Sequence, residues 1–120
     1  MKTSLYKGQV VEESLRNNRI LNSLHITHVE ITKDRNPRDR WHIYTVQMTK
    51  RDIDKLSKNL KGKHWYAHFY KGNELIVAFQ NKIFRLKRSE PKTWKEAIEY
   101  GLKLGIPKKQ LDFKIPSSID

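Results

Sequence analysis

The order of secondary-structure elements that the sequence predicts from Trp41 onward constrains the fold more than any other feature. Alternating and apolar runs predict strands over 41–48, 64–70, 75–87 and 111–115, the third being interrupted by a bulge or tight turn near 81–82. Amphipathic runs predict helices over 50–60 and 94–104. This order predicts an α+β fold, a ferredoxin-like βαββαβ sandwich over 41–115 with both helices on one face of an antiparallel sheet.

Capping signals define where the two helices begin and end. Thr49 followed by Asp52, and Thr93 followed by Glu96, each predict a capping box at a helix N-terminus. Gly62 and Gly105 are predicted to end the helices. Between the strands, 71–73 predicts a hairpin turn in which Gly72 or Asn73 takes a positive φ.

The segment before Trp41 predicts an N-terminal extension of this sandwich. Residues 17–24 predict a short helix, and 25–32 a strand that pairs with 41–48 and directs His25 and His28 to opposite faces. The stretch 75–79 is apolar on both sides, so we expect the sheet face that the helices leave open to be covered as well, by the N-terminal segment or by a second subunit. We expect residues 1–120 to form a single domain, with 1–5 and 116–120 as flexible tails.

Positive charge is the strongest compositional signal, with a net charge of +12. Residues 33–63 contain ten basic and four acidic side chains. Lys33, Arg35, Arg38 and Arg40 cluster in a predicted loop, because Asn36-Pro37 interrupts regular structure. Such an excess attracts polyanions through counterion release, and it also occurs as a merely solubilising surface.

Several classes of site are disfavoured by composition and spacing. The chain has no cysteine, which removes disulfides, thiolate metal sites and thiol catalysis. His64 and His68, four apart in a strand, would be separated by about 13 Å and could not chelate one ion. We therefore predict no metal and no cofactor. No apolar run is long enough for a signal peptide or a membrane span, so we expect a cytoplasmic protein that does not enter membranes.

The most suggestive constellation is a face of planar side chains on the strand 64–70. Alternation directs Trp65, Ala67 and Phe69 to one side of this strand. The other side carries His64, Tyr66, His68 and Tyr70. Rings displayed on an open sheet stack with the bases of single-stranded nucleic acid, and some RNA-binding domains use this topology in the same way.

Five blocks of the sequence resemble a family of small bacterial and archaeal proteins. They are YKG at 6–8, ESL at 13–15, WYAHF at 65–69, TWKEAIEYG at 93–101 and LGIPKKQLDF at 104–113. The resemblance covers nearly the whole chain and implies a single small domain with no assigned activity. It therefore transfers no catalytic role to any residue.

These observations predict a small basic binding module, with single-stranded RNA as its partner, rather than an enzyme. The predicted phosphate ligands are Arg35, Arg38, Arg40, Lys61 and Lys63. The predicted stacking or pocket residues are His64, Tyr66, His68 and Tyr70. Two alternatives stay open: a homodimer whose Tyr–His face lines a small-molecule or catalytic cleft, and a metal-independent ribonuclease that uses His68 as a general base.

Overall fold

The computed structural model describes residues 5–62 and 64–113, and its centre is a six-stranded antiparallel sheet. The strands are β1 (Tyr6–Val11), β2 (His25–Ile31), β3 (His42–Met48), β4 (Ala67–Lys71), β5 (Glu74–Phe79) and β6 (Lys82–Lys87). The helices are α1 (Lys50–Asn59) and α2 (Lys95–Lys103), and short 3-10 turns occupy Glu12–Ser14, Asn18–Ser23, Pro37–Asp39, Pro91–Trp94 and Lys108–Gln110. The prediction of an α+β fold with an antiparallel sheet is confirmed.

The strand order differs from that of a ferredoxin-like sandwich, because an unpredicted strand occupies the middle of the sheet. The order is β2-β3-β1-β4-β5-β6, and β1 pairs antiparallel with both β3 and β4. The predicted final strand is not observed, since 111–113 have no regular structure and 114–115 lie outside the described residues. The predicted tails, apart from Leu5, also lie outside the described residues, as does Lys63.

The helix α1 covers the first face of the sheet. Its buried Ile53 and Leu56 pack with Phe69 of β4 and with Ile76 and Ala78 of β5. The N-terminal 3-10 turns extend this layer through Leu15 and Leu21. The N-terminal segment therefore does help to cover the sheet, on the same face as α1.

The helix α2 covers the second face, opposite to α1. Ala97 of α2 clusters with Leu75, Val77 and Phe79, which alternate along β5 with the residues under α1. The prediction of two helices on one face is therefore wrong. The physical reason lies in β5, whose side chains are apolar on both sides and are buried only if each face has its own cover.

Local signals were reliable for α1 but not for α2. The Thr49 hydroxyl accepts from Asp52 N at 3.1 Å and the Asp52 carboxylate accepts from Thr49 N at 3.0 Å, which confirms the predicted capping box. The Thr93 hydroxyl instead accepts from Lys87 N and donates to the Glu90 carbonyl. Thr93 is thus used to fasten the end of β6, and the capping box predicted for α2 is wrong.

Turns and a bulge complete the sheet. Gly72 has φ +59° in the β4–β5 hairpin, as predicted, and Asn81 has φ +58° between β5 and β6. A register shift between Ile26 and His28 in β2 leaves both His25 and His28 on the second face. The prediction that they point to opposite faces is wrong, because the bulge adds one residue to the alternation.

The second face is covered over only half of its width. The apolar cluster beneath α2 contains residues of β4, β5 and β6 but none of β1, β2 or β3. On this face β1 and β3 carry Gln9, Val11, Ile43 and Thr45, which are half-buried. We call the second face of β2, β3 and β1 the open half; no element of the described residues packs on it.

Candidate nucleic-acid interface

The predicted basic residues come together at one end of the sheet. The strands β3, β4 and β6 begin there and β2, β1 and β5 end there, so the loop 33–40 and the connection from α1 to β4 share this end. Arg35, Arg38 and Arg40 lie in the loop, and Lys61 lies in the connection, where its backbone N–H donates to the Ser14 carbonyl. We call this the basic end. Two strand spacings, about 10 Å, separate β3 from β4.

The loop 33–40 is held in shape by its own polar groups. Asp34 Oδ1 accepts from Asn36 N at 3.1 Å, and Asn36 Oδ1 accepts from Arg38 N at 3.1 Å. Arg40 Nε donates to the Asp34 carbonyl at 2.8 Å. Arg35 and Arg38 are exposed, and neither joins an ion pair among the described residues. The loop therefore presents cations at low ordering cost.

An exposed tryptophan stands directly after this loop. The Trp41 side chain is 44% exposed, and its ring centroid is 5.3 Å from that of Trp65. Its backbone is fixed by Thr32, whose hydroxyl accepts from Trp41 N at 2.7 Å. Trp41 was not predicted as a site residue. The available signal was an aromatic residue adjoining three arginines at a strand start.

The predicted Tyr–His face exists, but its rings are largely covered. Tyr66, His68 and Tyr70 do share the second face, as the alternation predicts, yet the Phe113 ring lies 5.5 Å from Tyr66 and 6.0 Å from His68. The Tyr66 hydroxyl donates to the Gln110 carbonyl, and Tyr70 is only 7% exposed. The C-terminal segment and α2, rather than the N-terminal segment, cover these rings.

Burial also changes the protonation of this face. Desolvation raises the pKa of Tyr66 to about 12 and lowers the pKa of His68 to about 4. His68 is therefore neutral at pH 7 and cannot bind a phosphate as a cation. The same low pKa makes it a weak general base.

His64 is placed differently from the prediction. The strand β4 begins at Ala67, so His64 precedes it and has φ +73°. Its imidazole lies beside Gly105 at the end of α2, where a Cβ on that glycine would be 3.4 Å from His64 Cε1. His64 thus belongs to the connection at the basic end and not to the face of β4.

A cavity of about 170 Å³ lies where the covered and open halves of the second face meet. Its floor is formed by Gln9 and Val11 of β1 and by Ile43 of β3. Tyr66, His68 and Trp41 also line it, together with Ala67. We call it the seam cavity. A second cavity, of about 260 Å³, is at the opposite end of the sheet, where the Tyr6 hydroxyl donates to Glu74 at 2.7 Å.

A carboxylate–histidine pair at the basic end had no sequence signal. Glu13 accepts from His42 N at 2.8 Å, and its other oxygen lies 2.8 Å from His42 Nδ1. The hydrogen bond that His42 donates to the Glu13 carboxylate raises the pKa of His42. Next to it, hydrogen bonds from Asn18 and Tyr44 lower the pKa of Glu12. The partners are far apart in sequence, so only the pairing of β1 with β3 brings them together.

Within 5–62 and 64–113, no group of three or more His, Asp or Glu side chains is arranged to hold a metal ion. No helix of this part of the chain is long and apolar enough to cross a membrane. No protein-family model, curated protein or solved structure matches the chain.

Proposed function

We propose that this protein is a binding module for single-stranded RNA, which it holds along the basic end. The observation that carries the proposal is the juxtaposition of Arg35, Arg38 and Arg40, exposed and without ion pairs among the described residues, with the exposed ring of Trp41. Cations bind the backbone of the strand, and an aromatic face stacks with a base; together they are the two contacts that single-strand binders combine.

The roles within the predicted site are reassigned by burial. The three loop arginines and Lys61 bind phosphates. Trp41 takes the stacking role that the sequence pattern suggested for Tyr66, His68 and Tyr70. Tyr70 is buried beneath the α2 layer, while Tyr66 and His68 form one wall of the seam cavity. Two strand spacings, about 10 Å, separate β3, which follows the loop, from β4, which follows the connection that contains Lys61, and a few nucleotides cover such a distance.

The test is the salt dependence of affinity for a fluorescently labelled single-stranded RNA of about twelve nucleotides. Replacing Arg35, Arg38 and Arg40 with Ala is expected to weaken binding to every sequence. The slope of log affinity against log salt should decrease by about 0.7 per lost phosphate contact, hence by about 2 for the triple variant. A neutral small-molecule ligand would show no such slope.

A matched control removes the same charge from another surface. Arg51, Lys55 and Lys58 form an exposed stripe at helical spacing on α1. Their replacement with Ala also lowers the net charge by three and suits a helix. We expect this variant to retain most of the affinity. Equal losses in both triple variants would mean that the charge acts only in bulk, and a larger loss in the α1 variant would move the binding surface to α1; either result contradicts the proposal.

A second candidate function, metal-independent RNA cleavage, is favoured by the Glu13–His42 pair at the same end. A protonated His42 could donate a proton to the 5′ oxygen as it leaves, while the 2′ hydroxyl attacks the phosphorus and passes its proton to water. In excess chelator, the parent would then shorten an RNA oligomer and His42→Asn would not. An oligomer that stays intact with the parent restricts the function to binding.

A further inference from the structure

We infer that the seam cavity binds one pyrimidine base of the bound RNA. The inference rests on the proposed function and adds a base preference to it. Its grounds are the size of the cavity, the chemistry of its lining and the charges around its mouth.

The size of the seam cavity favours a base with a single ring. The cavity holds about 170 Å³, and cavities of about 150 Å³ accept one benzene-sized ring. A pyrimidine has one six-membered ring, whereas a purine has a second, fused ring. The floor is a continuous part of the sheet, with Val11 paired to Ile43, so the depth of the cavity is fixed.

The lining suits a flat ring with a polar edge. Val11 and Ile43 give an apolar floor, and Trp41 gives an aromatic wall. Gln9 adds an amide with both a donor and an acceptor, and this amide has no hydrogen-bond partner among the described residues. Pyrimidines carry adjacent donors and acceptors on one edge, so a side-chain amide can pair with them.

The charges direct the base inward and the phosphates outward. His68 is neutral at pH 7 and the Tyr66 proton is engaged by the Gln110 carbonyl, so the wall carries no cation that would draw in a phosphate. Arg40 precedes Trp41 in sequence, and its Nε donates to the Asp34 carbonyl in the exposed loop. Lys7, exposed on the same face of β1, lies two residues or about 7 Å from Gln9.

The experiment compares labelled oligouridylate, oligocytidylate and oligoadenylate of about twelve nucleotides at one salt concentration. The parent is expected to bind the two pyrimidine oligomers about tenfold more tightly than oligoadenylate, a difference equal to the stacking of one base. Val11→Trp fills the cavity and should abolish the preference by weakening the binding of the two pyrimidine oligomers. Val29→Trp, on a side chain that is 50% exposed on the other face of the edge strand β2, should preserve it.

A second variant keeps the inference testable if Val11→Trp does not fold. Gln9→Leu preserves the shape of the floor, removes the amide and should reduce the preference severalfold. Equal affinity of the parent for all three oligomers, or a preference that survives both Val11→Trp and Gln9→Leu, overturns the base pocket while salt-dependent RNA binding still stands. Absence of salt-dependent binding to any oligomer overturns the proposed function as well, so the two failures are distinguishable.

Discussion

Acidification is expected to destabilise this protein through His68. Burial lowers the pKa of His68 from 6.5 to about 4 in the folded state. Between these values the unfolded chain binds a proton at this residue and the folded chain does not. Because the unfolded state binds more protons, the free energy of unfolding decreases as the pH falls from about 6.5 to about 4, and below that range the effect is complete.

The size of the effect follows from the two pKa values. Each unit of difference is worth about 1.4 kcal/mol, so the change from 6.5 to about 4 corresponds to at most about 3 kcal/mol. The ring is half-buried and not fully enclosed, which reduces the expectation to about 2–3 kcal/mol. This is a large part of the stability of a small domain.

Urea unfolding of the parent and of His68→Gln, at several pH values between about 7 and 4, measures this contribution. Subtracting the two pH profiles cancels every other titrating group, including Glu13 and His42. The parent should lose about 2–3 kcal/mol more than His68→Gln over this range. The control is His28→Gln on the exposed strand β2, which should follow the parent. Parallel profiles for the parent and His68→Gln would refute the burial argument.

Four further outcomes are expected. Phe69→Ala, at a fully buried side chain, should lower the free energy of unfolding by about 3–5 kcal/mol, and a loss below about 1 kcal/mol in urea unfolding would contradict the face assignment. Gly8→Ala should cost at least about 2 kcal/mol, since a Cβ there lies 2.3 Å from the Phe69 ring and 2.5 Å from the His68 carbonyl; an unchanged thermal midpoint would count against it. Ser57→Ala should lower the free energy of unfolding by about 1–2 kcal/mol, measured by urea unfolding, because the buried hydroxyl donates to the Phe79 carbonyl. Elemental analysis after dialysis should find no stoichiometric zinc, in keeping with the lack of thiolates, and about one metal per chain would contradict this.

The sequence predicted the elements whose signals are local. The Thr49 capping box, the positive φ of Gly72 and the burial of Phe69 on one side of β4 each depend on a few consecutive residues. The strand β1 was missed because Gly8 interrupts an otherwise alternating hexapeptide and reads as a turn residue. Its glycine is needed because a side chain there would collide with Phe69.

These local signals could not predict how elements that are distant in sequence are placed against each other. Nothing in the sequence of α2 specifies which face of the sheet it covers, and that choice decides whether the Tyr–His face is open. The basic loop was predicted because its charges are contiguous. The seam cavity and the Glu13–His42 pair were missed because each joins β1, or the turn after it, to a strand distant in sequence.

The central position of β1 has a consequence for how the chain assembles. In the sheet of the described residues, β3 and β4 are not neighbours, and both form their backbone hydrogen bonds with β1. Without β1 the sheet would consist of two separate units, β2–β3 and β4–β5–β6. Each unit can form from neighbouring residues, but the pairing of Lys7 with Tyr70 must wait until most of the chain has been synthesised. Until then, the unpaired edges of β3 and β4 are exposed to other chains. Swapping of β1 between molecules is therefore the misassembly that this topology favours.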